Sequence, residues 1–376
     1  MLKFVEDLLQ GAPVEWKTLG EVMVRTKGIP ITASQMRLLN RSDGAVKVFA
    51  GGKTVAYLAY EDLPLHDIHF TPSIIVKSRG LVEFEYYDKA FSHKNELWSY
   101  HSMSETVDTK FVYYFLKTKE TLLRTKAAIM GAMPQISIPD TENILIPILP
   151  LRVQERIVEI LDKFTELEAE LEAELEARAK QYEYYRNKLL TFEEAVERKR
   201  LGEIVAIKRG KRLVKKELVR SGNFAVFQNS MTPLGFYNES NVNADTTFII
   251  CAGSAGEIGY SHHPFWAADD VCYFTPNNTL RSKFLYYILL NQQNAIKSQV
   301  RRAIIPRLPR TVLEDFIIPL PSLSEQARIV SILDKFDTLV NSLTEGLPRE
   351  IALRHKQYEY YRDQLLTFPA PPNANL

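Results

Sequence analysis

Cysteine and long apolar stretches are both scarce in this chain of 376 residues. Its two cysteines, Cys251 and Cys272, cannot build a disulfide framework, and we interpret them as small buried side chains in a reducing compartment. No run of 18 apolar residues is present, so the sequence predicts no membrane-spanning helix. The first ten residues carry acids within their apolar run, which does not fit a signal peptide. We therefore expect a cytoplasmic protein with no membrane partner.

Motifs of catalysis and of metal binding are also missing. The Asp/Asn-Pro-Pro-aromatic motif of an amino methyltransferase does not occur. Residues 51–54 (GGKT) lack the upstream glycine of a phosphate-binding loop, because that position is Lys47. His262 and His263 do not have zinc-ligand spacing with the two cysteines. The sequence thus predicts no catalytic residue and no metal site. A nucleotide-hydrolysing enzyme is a further alternative, and it would require that this chain binds ATP without a partner.

The longest helical pattern covers residues 154–192. Its apolar residues recur every three or four positions, and neither glycine nor proline interrupts it. Within it, Leu-Glu-Ala-Glu starts at Leu167 and again at Leu171, and a degenerate copy starts at Leu175. With a rise of about 1.5 Å per residue, such a helix would be roughly 60 Å long. Because only one face is apolar, the helix needs a partner that covers this face.

The chain contains two copies of this helical segment. QERIVEILDKF at 154–164 returns as QARIVSILDKF at 326–336, with nine of eleven positions identical. KQYEYYRNKLLTF at 180–192 returns as KQYEYYRDQLLTF at 356–368, with eleven of thirteen identical. We interpret the repeated tyrosines as packing residues rather than as a base-stacking platform. The repeat predicts two copies of one long helix.

A further repeat marks the start of two globular segments. VEWKTLGE at 14–21 matches VERKRLGE at 196–203 at six of eight positions. Short β-rich runs follow in each segment, at 46–50, 73–77, 225–228 and 246–251, and aromatic-rich helical patterns lie at 111–119 and 283–291. The sequence predicts a tandem α+β (mixed α/β) architecture with approximate two-fold symmetry. Its segments are an N-terminal helix (1–13), a first globular domain (14–150), a central helix (151–195), a second globular domain (196–320) and a C-terminal helix (321–376).

Charge is distributed unevenly, although the whole chain carries only +1. Residues 197–318 have 17 basic and 10 acidic side chains, whereas residues 152–196 have 7 basic and 12 acidic ones. Residues 15–150 are near neutral, with 16 basic and 15 acidic side chains. This pattern predicts that a polyanion would bind to the globular segments, and to the second more clearly than to the first.

This layout resembles the specificity (S) subunit of type I restriction–modification systems. The resemblance covers essentially the whole chain and rests on the paired helical segments, the two VEWKTLGE-type starts and the Leu-Glu-Ala-Glu repeat. The last of these is similar to the TAEL-type repeat in the central conserved region of one group of these subunits. The resemblance implies two target-recognition domains that each bind one half of a bipartite, asymmetric DNA site. It also implies that the two long helices pack as an antiparallel coiled coil.

The same resemblance implies the partners and the place of the chemistry. The partners would be double-stranded DNA, two methylation subunits docked on the helices, and restriction–translocation subunits. S-adenosylmethionine and ATP/Mg would bind to those other chains, so this chain would be a non-catalytic subunit without a cofactor. The alternative is a coiled-coil scaffold that joins protein-binding globules. Salt-dependent binding to duplex DNA would separate the two functions.

Candidate DNA contacts are basic side chains for phosphates and Arg, Lys, Asn or Gln for base edges. In the first globular segment they are Arg25, Lys27, Lys53, Lys77, Arg79, Arg124, Lys126 and Gln135. In the second they are Lys208, Arg209, Lys211, Arg212, Lys215, Lys216, Gln228, Asn229, Ser230, Arg301, Arg302, Arg307 and Arg310. The spacer residues of the central helix are Leu167, Leu171 and Leu175, and we expect them to set the distance between the half-sites.

Overall fold

The structure of the protein, a computed structural model, describes residues 3–128 and 134–369. Residues 1–2 of the predicted N-terminal helix and 370–376 of the predicted C-terminal segment lie outside the described residues. By packing, the chain divides into two compact units. The first unit contains residues 1–170 and 352–376, and the second contains residues 171–351. Each unit thus includes part of the predicted long helices as well as one globular segment.

The globular part of the first unit alternates short helices and strands and leads into a long helix. Its elements are α1 (Lys3–Leu9), β1 (Glu15–Thr18), α2 (Leu19–Val22), β2 (Val24–Lys27), α3 (Ala33–Leu39), β3 (Val46–Phe49), β4 (Val55–Leu58), β5 (Ser73–Lys77), β6 (Glu83–Tyr87), β7 (Phe91–His93), β8 (Trp98–His101), α4 (Thr109–Lys117), α5 (Glu120–Ala128), α6 (Ile138–Glu142), β9 (Leu145–Ile148) and α7 (Leu151–Leu189). Two 3-10 turns, Tyr60–Asp62 and Leu65–Asp67, lie between β4 and β5.

Three small sheets organise the first unit. A four-stranded antiparallel sheet has the order β2-β8-β5-β6, and a three-stranded sheet has the order β4-β3-β7 with β3 parallel to β7. The first strand, β1, pairs with the last, β9, so the start and end of the globular segment lie side by side. Helix α4 packs on β5 and β6 and buries Phe111 and Phe115 beside Tyr100 and Phe84.

The second unit repeats this order of elements. Its elements are β10 (Arg198–Arg200), α8 (Leu201–Ile204), β11 (Val205–Arg209), β12 (Phe224–Phe227), β13 (Gly235–Tyr237), β14 (Thr246–Ile250), β15 (Ile258–Ser261), β16 (Trp266–Ala267), β17 (Val271–Pro276), α9 (Ser282–Asn291), α10 (Gln293–Ser298), α11 (Arg310–Glu314), β18 (Ile317–Pro319), α12 (Leu323–Asn341) and α13 (Gly346–Leu365). The last part of α13 belongs to the first unit.

The sheet topology of the second unit matches that of the first strand by strand. The four-stranded sheet is β11-β17-β14-β15, the three-stranded sheet is β13-β12-β16, and β10 pairs with β18. Helix α9 packs on β14 and β15, as α4 does on β5 and β6. The predicted duplication of a mixed α/β globule is confirmed. Residues 51–54 form the turn between β3 and β4.

The first long helix is continuous, whereas its second copy is interrupted. Helix α7 spans 39 residues without a break. The second copy differs from the predicted single helix, because α12 and α13 are separated at residues 342–345. Ser342 Oγ accepts a hydrogen bond from the Glu345 backbone N–H at 3.0 Å, a local bond that competes with helix continuation. Gly346 then adopts a φ of +75°, which a right-handed helix does not contain.

A buried glutamine near the start of α7 joins the helix to the globular part of the first unit. Gln154 is fully buried, and its Nε2 donates to the carbonyl oxygens of Thr106 (2.9 Å) and Leu149 (2.7 Å). Its Oε1 accepts from the backbone N–H of Asp108 at 2.9 Å. A single buried side chain thereby satisfies three backbone groups, and loss of these bonds would leave its own amide without partners in the interior, which is costly.

Gln326, the repeated residue on α12, makes the same three bonds in the second unit. Its Nε2 donates to the carbonyl oxygens of Thr279 and Pro321, both at 2.9 Å, and its Oε1 accepts from the Arg281 backbone N–H at 2.9 Å. The Asp of the same motif makes the same bond in both units. Asp162 accepts from the Tyr114 hydroxyl at 2.6 Å, and Asp334 accepts from the Tyr287 hydroxyl at 2.5 Å. The repeated QxRIVxILDKF motif therefore specifies the junction between helix and globule.

In the first unit, the apolar face of α7 is covered by α13. Phe164 lies 6.4 Å from the ring of Tyr358 and 5.5 Å from that of Tyr361. One turn further along α7, Glu168 contacts His355 at 3.2 Å. Residue numbers rise along α7 while their partners fall along α13, so the two helices are antiparallel here.

The second unit has an equivalent aromatic stack made from the other copy of each motif. Phe336 of α12 lies 6.2 Å from Tyr182 and 5.5 Å from Tyr185, both on α7. In each unit, one copy of QxRIVxILDKF packs against the KQYEYYR segment that the chain places after the other copy. Two tyrosines of each motif pack as predicted, whereas the third, Tyr184 or Tyr360, is 59% exposed.

A close backbone approach fixes one glycine in each globular part. A Cβ on Gly28 would lie 2.1 Å from the carbonyl oxygen of Lys94, and one on Gly210 would lie 2.2 Å from that of Ala268. In both units this glycine follows the first strand of the four-stranded sheet. The segment after β2 or β11 lies so close to the turn before β8 or β17 that only glycine fits at this position.

We predict that Gly28→Ala lowers the free energy of unfolding by about 1 to 3 kcal/mol, because the new methyl group meets backbone that cannot move aside easily. Gly51→Ala is the matched control, since a Cβ there has no neighbour within 4 Å. Its effect should stay within about 0.5 kcal/mol. Urea denaturation followed by tryptophan fluorescence measures both, and equal effects of the two variants would contradict the structure.

Candidate nucleic-acid interface

Several loops of the second unit meet at one end of its four-stranded sheet. Strands β11 and β14 end there, and β17, which is antiparallel to both, begins there. The turns at 210–213, 251–257 and 268–270 are consequently neighbours, and we call this end the loop edge of the second unit. Residues 301–310 also lie at the loop edge, because the Leu308 backbone N–H donates to the Cys251 carbonyl oxygen at 2.9 Å. Asn229 also lies here and accepts from the Ser254 backbone N–H at 2.9 Å.

A pocket of about 330 Å³ opens at this edge and brings three predicted DNA contacts together. Its charged lining residues are Arg209, Arg307, Arg310, Asp269 and Asp270. Arg209 ends β11, whereas Arg307 and Arg310 lie just before and at the start of α11, so the fold brings the strand end next to this distant segment. Three guanidinium groups and two carboxylates line the pocket, and Glu314 pairs with Arg310 at 2.6 Å. The charges at the pocket itself are therefore close to balance, and the basic character of this edge comes from the exposed lysines and arginines around it.

Hydrogen bonds orient two of these arginines. Arg209 Nε donates to the Asp269 carbonyl oxygen at 2.6 Å, and Arg310 Nε donates to Glu314 at 2.6 Å. Burial and the neighbouring Asp269 raise the pKa of Asp270, while Arg307 and Arg209 oppose the shift. The two aspartates lie in the turn between β16 and β17 rather than on a strand. They therefore act on the arginines as local counter-charges.

The two cysteines lie at the base of the same pocket. Cys272 is buried and Cys251 is half-buried. A hydrogen bond with Cys272, together with burial, raises the pKa of the Cys251 thiol. Cys251 is therefore a neutral thiol at physiological pH, in agreement with its interpretation as a small packing residue.

The remaining candidates of the second unit surround this edge. Exposed side chains are those of Lys208, Lys211, Arg212, Lys215, Lys216, Asn229, Arg301 and Arg302. Gln228 and Ser230 are half-buried, and the Ser230 hydroxyl donates to the Thr232 carbonyl oxygen at 3.0 Å. Most of the predicted set in the second unit is thus accessible to solvent.

The first unit has an equivalent loop edge at the ends of β2 and β5 and the start of β8. Arg79 and Gln135 form a β-bridge there, which corresponds to the bridge between Ala252 and Arg307 in the second unit. Lys27, Arg79 and Gln135 are exposed at this edge. Lys53 is exposed in the turn between β3 and β4. These four candidates are thus accessible, and so is Lys126, which differs from them in its ion pair.

The other four candidates of the first unit are held by carboxylates. Lys77 is buried, with its Nζ 2.7 Å from Glu85 and 3.3 Å from Glu83. Although burial alone would lower the pKa of Lys77, its bonds to Glu85 and Glu83 raise it, so the group is a charged member of an internal ion-pair network. It cannot contact a phosphate, and we remove it from the candidate set.

The ion pairs of Arg25, Arg124 and Lys126 reduce their availability in a similar way. Arg25 pairs with Glu142 at 3.0 Å. Arg124 pairs with Glu120 at 3.0 Å and donates to the Val82 carbonyl oxygen at 2.7 Å. Lys126 pairs with Asp140. A cation that already pairs with a carboxylate gains less free energy from a phosphate contact. These three side chains therefore rank below the four accessible candidates at the loop edge and in the β3–β4 turn.

Sequence reasoning missed one charged pair at the loop edge of the first unit. Lys94 pairs with Glu96 at 2.9 Å in the turn before β8, the position that Asp269 and Asp270 occupy in the second unit. No sequence motif marks this turn. The offset of 182 residues between the two VEWKTLGE-type starts does not lead to it, because Lys94 and Ala268, which face Gly28 and Gly210, are 174 residues apart.

The three spacer leucines lie on α7 as predicted. Leu167, Leu171 and Leu175 are each half-buried, and most side chains between them are exposed. Their spacing of four residues keeps them near one face of the helix. Insertion or deletion of one such unit would therefore change the length of α7 while nearly preserving its apolar face.

Histidines are buried inside the first unit, close to its loop edge. His93 is fully buried, and its Nε2 lies 3.1 Å from the Ser99 hydroxyl. Burial lowers the pKa of His93 to about 4. Burial, followed by repulsion from His101, lowers the pKa of His69 as well. Both imidazoles are thus neutral in the folded protein at pH 7.

These shifts predict acid sensitivity. The unfolded chain has an ordinary histidine pKa near 6.5, so it binds more protons than the folded state between about pH 6.5 and pH 4. The free energy of unfolding should fall by about 2 to 3 kcal/mol over this range. His93→Gln should remove much of that dependence, as urea denaturation at pH 7 and pH 4.5 can test. An unchanged pH dependence in the variant would show that other groups are responsible.

Residues 3–128 and 134–369 contain no cluster of three or more His, Cys, Asp or Glu side chains that could hold a metal ion. Within the same ranges, no helix is long and apolar enough to cross a membrane.

Comparison with known proteins places this architecture among DNA specificity proteins. The family model described as "Type I restriction modification DNA specificity domain" matches residues 13–180 and 193–353. The type I restriction enzyme EcoR124I/EcoR124II specificity subunit of Escherichia coli is 34% identical over 410 aligned residues, which cover 100% of this chain and 99% of that one. A putative type I restriction enzyme specificity subunit of Haemophilus influenzae is 31% identical and covers 97% of this chain and 98% of its own.

Solved structures share the fold. The crystal structure of a type I restriction–modification system S subunit from M. genitalium superposes with a TM-score of 0.65 at 23% identity, and covers 96% of this chain and 98% of its own. A chain from a study of complex assembly and conformational transition in the type I system has a TM-score of 0.55 at 15% identity. The second match covers 94% of this chain and 98% of that one.

Proposed function

Because the chain belongs to the family of type I restriction–modification DNA specificity domains, we propose that it is the DNA sequence-recognition subunit of such a system. Each globular part binds one half of a bipartite, asymmetric site in double-stranded DNA. The observation that carries this proposal is the loop edge, which recurs at the same place in both units. An accessible cluster of basic and amide side chains at that edge suits phosphate and base-edge contacts.

The chemistry is assigned to other subunits. Two methylation subunits dock on the helices, supply S-adenosylmethionine and modify the N6 atom of adenine. Restriction subunits supply ATP/Mg-dependent translocation and cleavage. This chain is non-catalytic, binds no cofactor and acts in the cytoplasm, where its DNA target lies. The pocket at the second loop edge supports this assignment, because the neutral Cys251 thiol suits packing and the adjacent Asp269 and Asp270 suit arginine orientation.

Helix α7 sets the spacing between the half-sites. Four residues add about 6 Å of helix and rotate its end by roughly 40° beyond a full turn. One base pair of B-DNA turns by roughly 35°, since about 10 to 10.5 pairs make a turn. One Leu-Glu-Ala-Glu unit can therefore shift the spacing by one base pair and still present the domain to the groove.

A coiled-coil scaffold that joins protein-binding globules is the alternative function. The family assignment does not favour it. It also leaves the arginine-lined pocket and the exposed lysines at both loop edges without a purpose.

We expect specific duplex binding to weaken steeply with salt, and we expect Lys27→Ala to make that dependence shallower. Each phosphate contact that is lost reduces the slope of log K against log salt concentration by about 0.9. Lys89→Ala is the matched control, because Lys89 is an exposed lysine of the same unit at the opposite end of β6 from the loop edge. Fluorescence anisotropy with a labelled duplex at several salt concentrations measures both slopes.

The control should retain the wild-type slope. Equal loss of slope in both variants would indicate a diffuse charge effect rather than a contact at the loop edge. Binding that does not depend on salt would favour the scaffold function.

Co-expression with the cognate methylation subunit, in a host without DNA methylation, should produce one split methylation motif. N6-methyladenine mapping across the genome would give both half-sites and the gap between them. Deletion of residues 171–174 should then shorten the gap by one base pair and leave both half-sites unchanged. Glu172→Gln changes the same segment without changing its length, so it should leave the motif intact.

An assembled complex that methylates nothing would contradict DNA recognition by these units. A deletion that changes the half-sites themselves, rather than the gap, would contradict the spacing function of α7.

A further inference from the structure

A short hairpin at the second loop edge presents isoleucines to solvent. Residues 301–307 (RRAIIPR) form it, with Arg301 and Arg307 bridged at its base. Ile304 at the tip is fully exposed, and Ile305 is 53% exposed. Burying an isoleucine side chain normally stabilises a protein by about 1.5 to 3 kcal/mol, so this hairpin leaves that stabilisation unused in the free chain.

The base of the hairpin is rigid. Arg301 and Arg307 exchange two backbone hydrogen bonds, of 2.9 and 3.2 Å. The Gly253 backbone N–H also donates to the Pro306 carbonyl oxygen at 3.2 Å, which ties the hairpin to the end of β14. These bonds fix the base of the hairpin to the sheet, so binding through its tip would require ordering of the few tip residues only.

Charge around the tip indicates what the hairpin binds. Arg301, Arg302 and Arg307 are exposed within three residues of Ile304 along the chain, and Arg310 follows at the pocket. An apolar tip that arginines flank on both sides along the chain is complementary to a surface with phosphates on both sides and an apolar group between them. Duplex DNA offers such a surface in its grooves.

The two-stranded form of the hairpin favours the major groove. This groove is about 12 Å wide and admits a two-stranded ribbon, whereas the minor groove is only about 6 Å wide. The apolar group that bases present in the major groove is the C5-methyl of thymine. We propose that hairpin 301–307 enters the major groove, that Ile304 contacts a thymine methyl group, and that the flanking arginines bind the phosphates on either side. This inference rests on the proposed function and adds a specificity-determining residue to it.

Thymine-to-deoxyuridine substitution tests the contact directly, because it removes only the methyl group. The wild-type complex with its methylation subunit would be titrated against duplexes in which each thymine of both half-sites is replaced in turn. One substitution should weaken binding about fourfold, the effect of one buried methyl group. Ile304→Ala should weaken binding to the thymine duplex and should no longer respond to that substitution.

Ile317→Ala is the matched control. Ile317 has the same side chain, is 55% exposed and lies on β18 in the same unit. It should retain both the wild-type affinity and the response to deoxyuridine. Circular dichroism melting of the variants would verify that a change at the hairpin tip leaves the fold intact.

Three results would overturn the inference while specific duplex binding, and therefore the proposed function, remains. One is that no thymine substitution changes the affinity of the wild-type complex. Another is that Ile304→Ala responds to deoxyuridine as strongly as the wild type does. The third is that Ile304→Ala weakens assembly with the methylation subunit but leaves DNA affinity of the assembled complex unchanged, in which case the hairpin is a protein contact. Loss of specific binding by the wild type would instead contradict the proposed function.

Discussion

The hydrogen bonds of one buried glutamine fix each helix to its globular part. Gln154 and Gln326 occupy the same position of a repeated motif, and each satisfies one backbone N–H and two carbonyl groups. A buried amide that lost these bonds would leave several polar groups without partners, at a cost of about 1 to 3 kcal/mol each. The direction in which the helix leaves the sheet is therefore determined by side-chain chemistry. Any function that depends on the distance between two recognition surfaces depends first on this junction.

The aromatic stacks explain why the helical segments changed so little while the globular interiors diverged. Phe164 packs on Tyr358 and Tyr361, and Phe336 makes the equivalent contacts with residues of α7. Each motif must fit the partner segment of the other copy, so a change in one copy requires a compensating change elsewhere. The loop edges have no such constraint, because their side chains face solvent. Divergence there changes what is bound without changing how the unit is assembled.

Much of the fold could be predicted from the sequence, because local patterns and repeats carry it. The apolar run of β5 and the uninterrupted spacing along α7 both have the predicted structure. Individual charges were harder to place, since their environment comes from distant segments. Lys77 looks like a surface cation in the sequence, but Glu83 and Glu85 on the adjacent strand enclose it. The break before Gly346 was missed because the repeat suggested continuity, although glycine is a common signal of a helix end.

The first unit is built from two separate segments of the chain, and this determines when it can fold. The second unit is a continuous run of about 180 residues, whereas the first needs residues on both sides of that run. During translation, the apolar face of α7 around Phe164 is made before the second unit, but its cover on α13 is made only afterwards. At about 5 to 20 residues per second, the ribosome leaves that face uncovered for roughly 10 to 40 s. The nascent chain therefore passes through a period in which the apolar face of α7 is made but has no cover, while the second unit is synthesised, and the ribosome sets the length of this period.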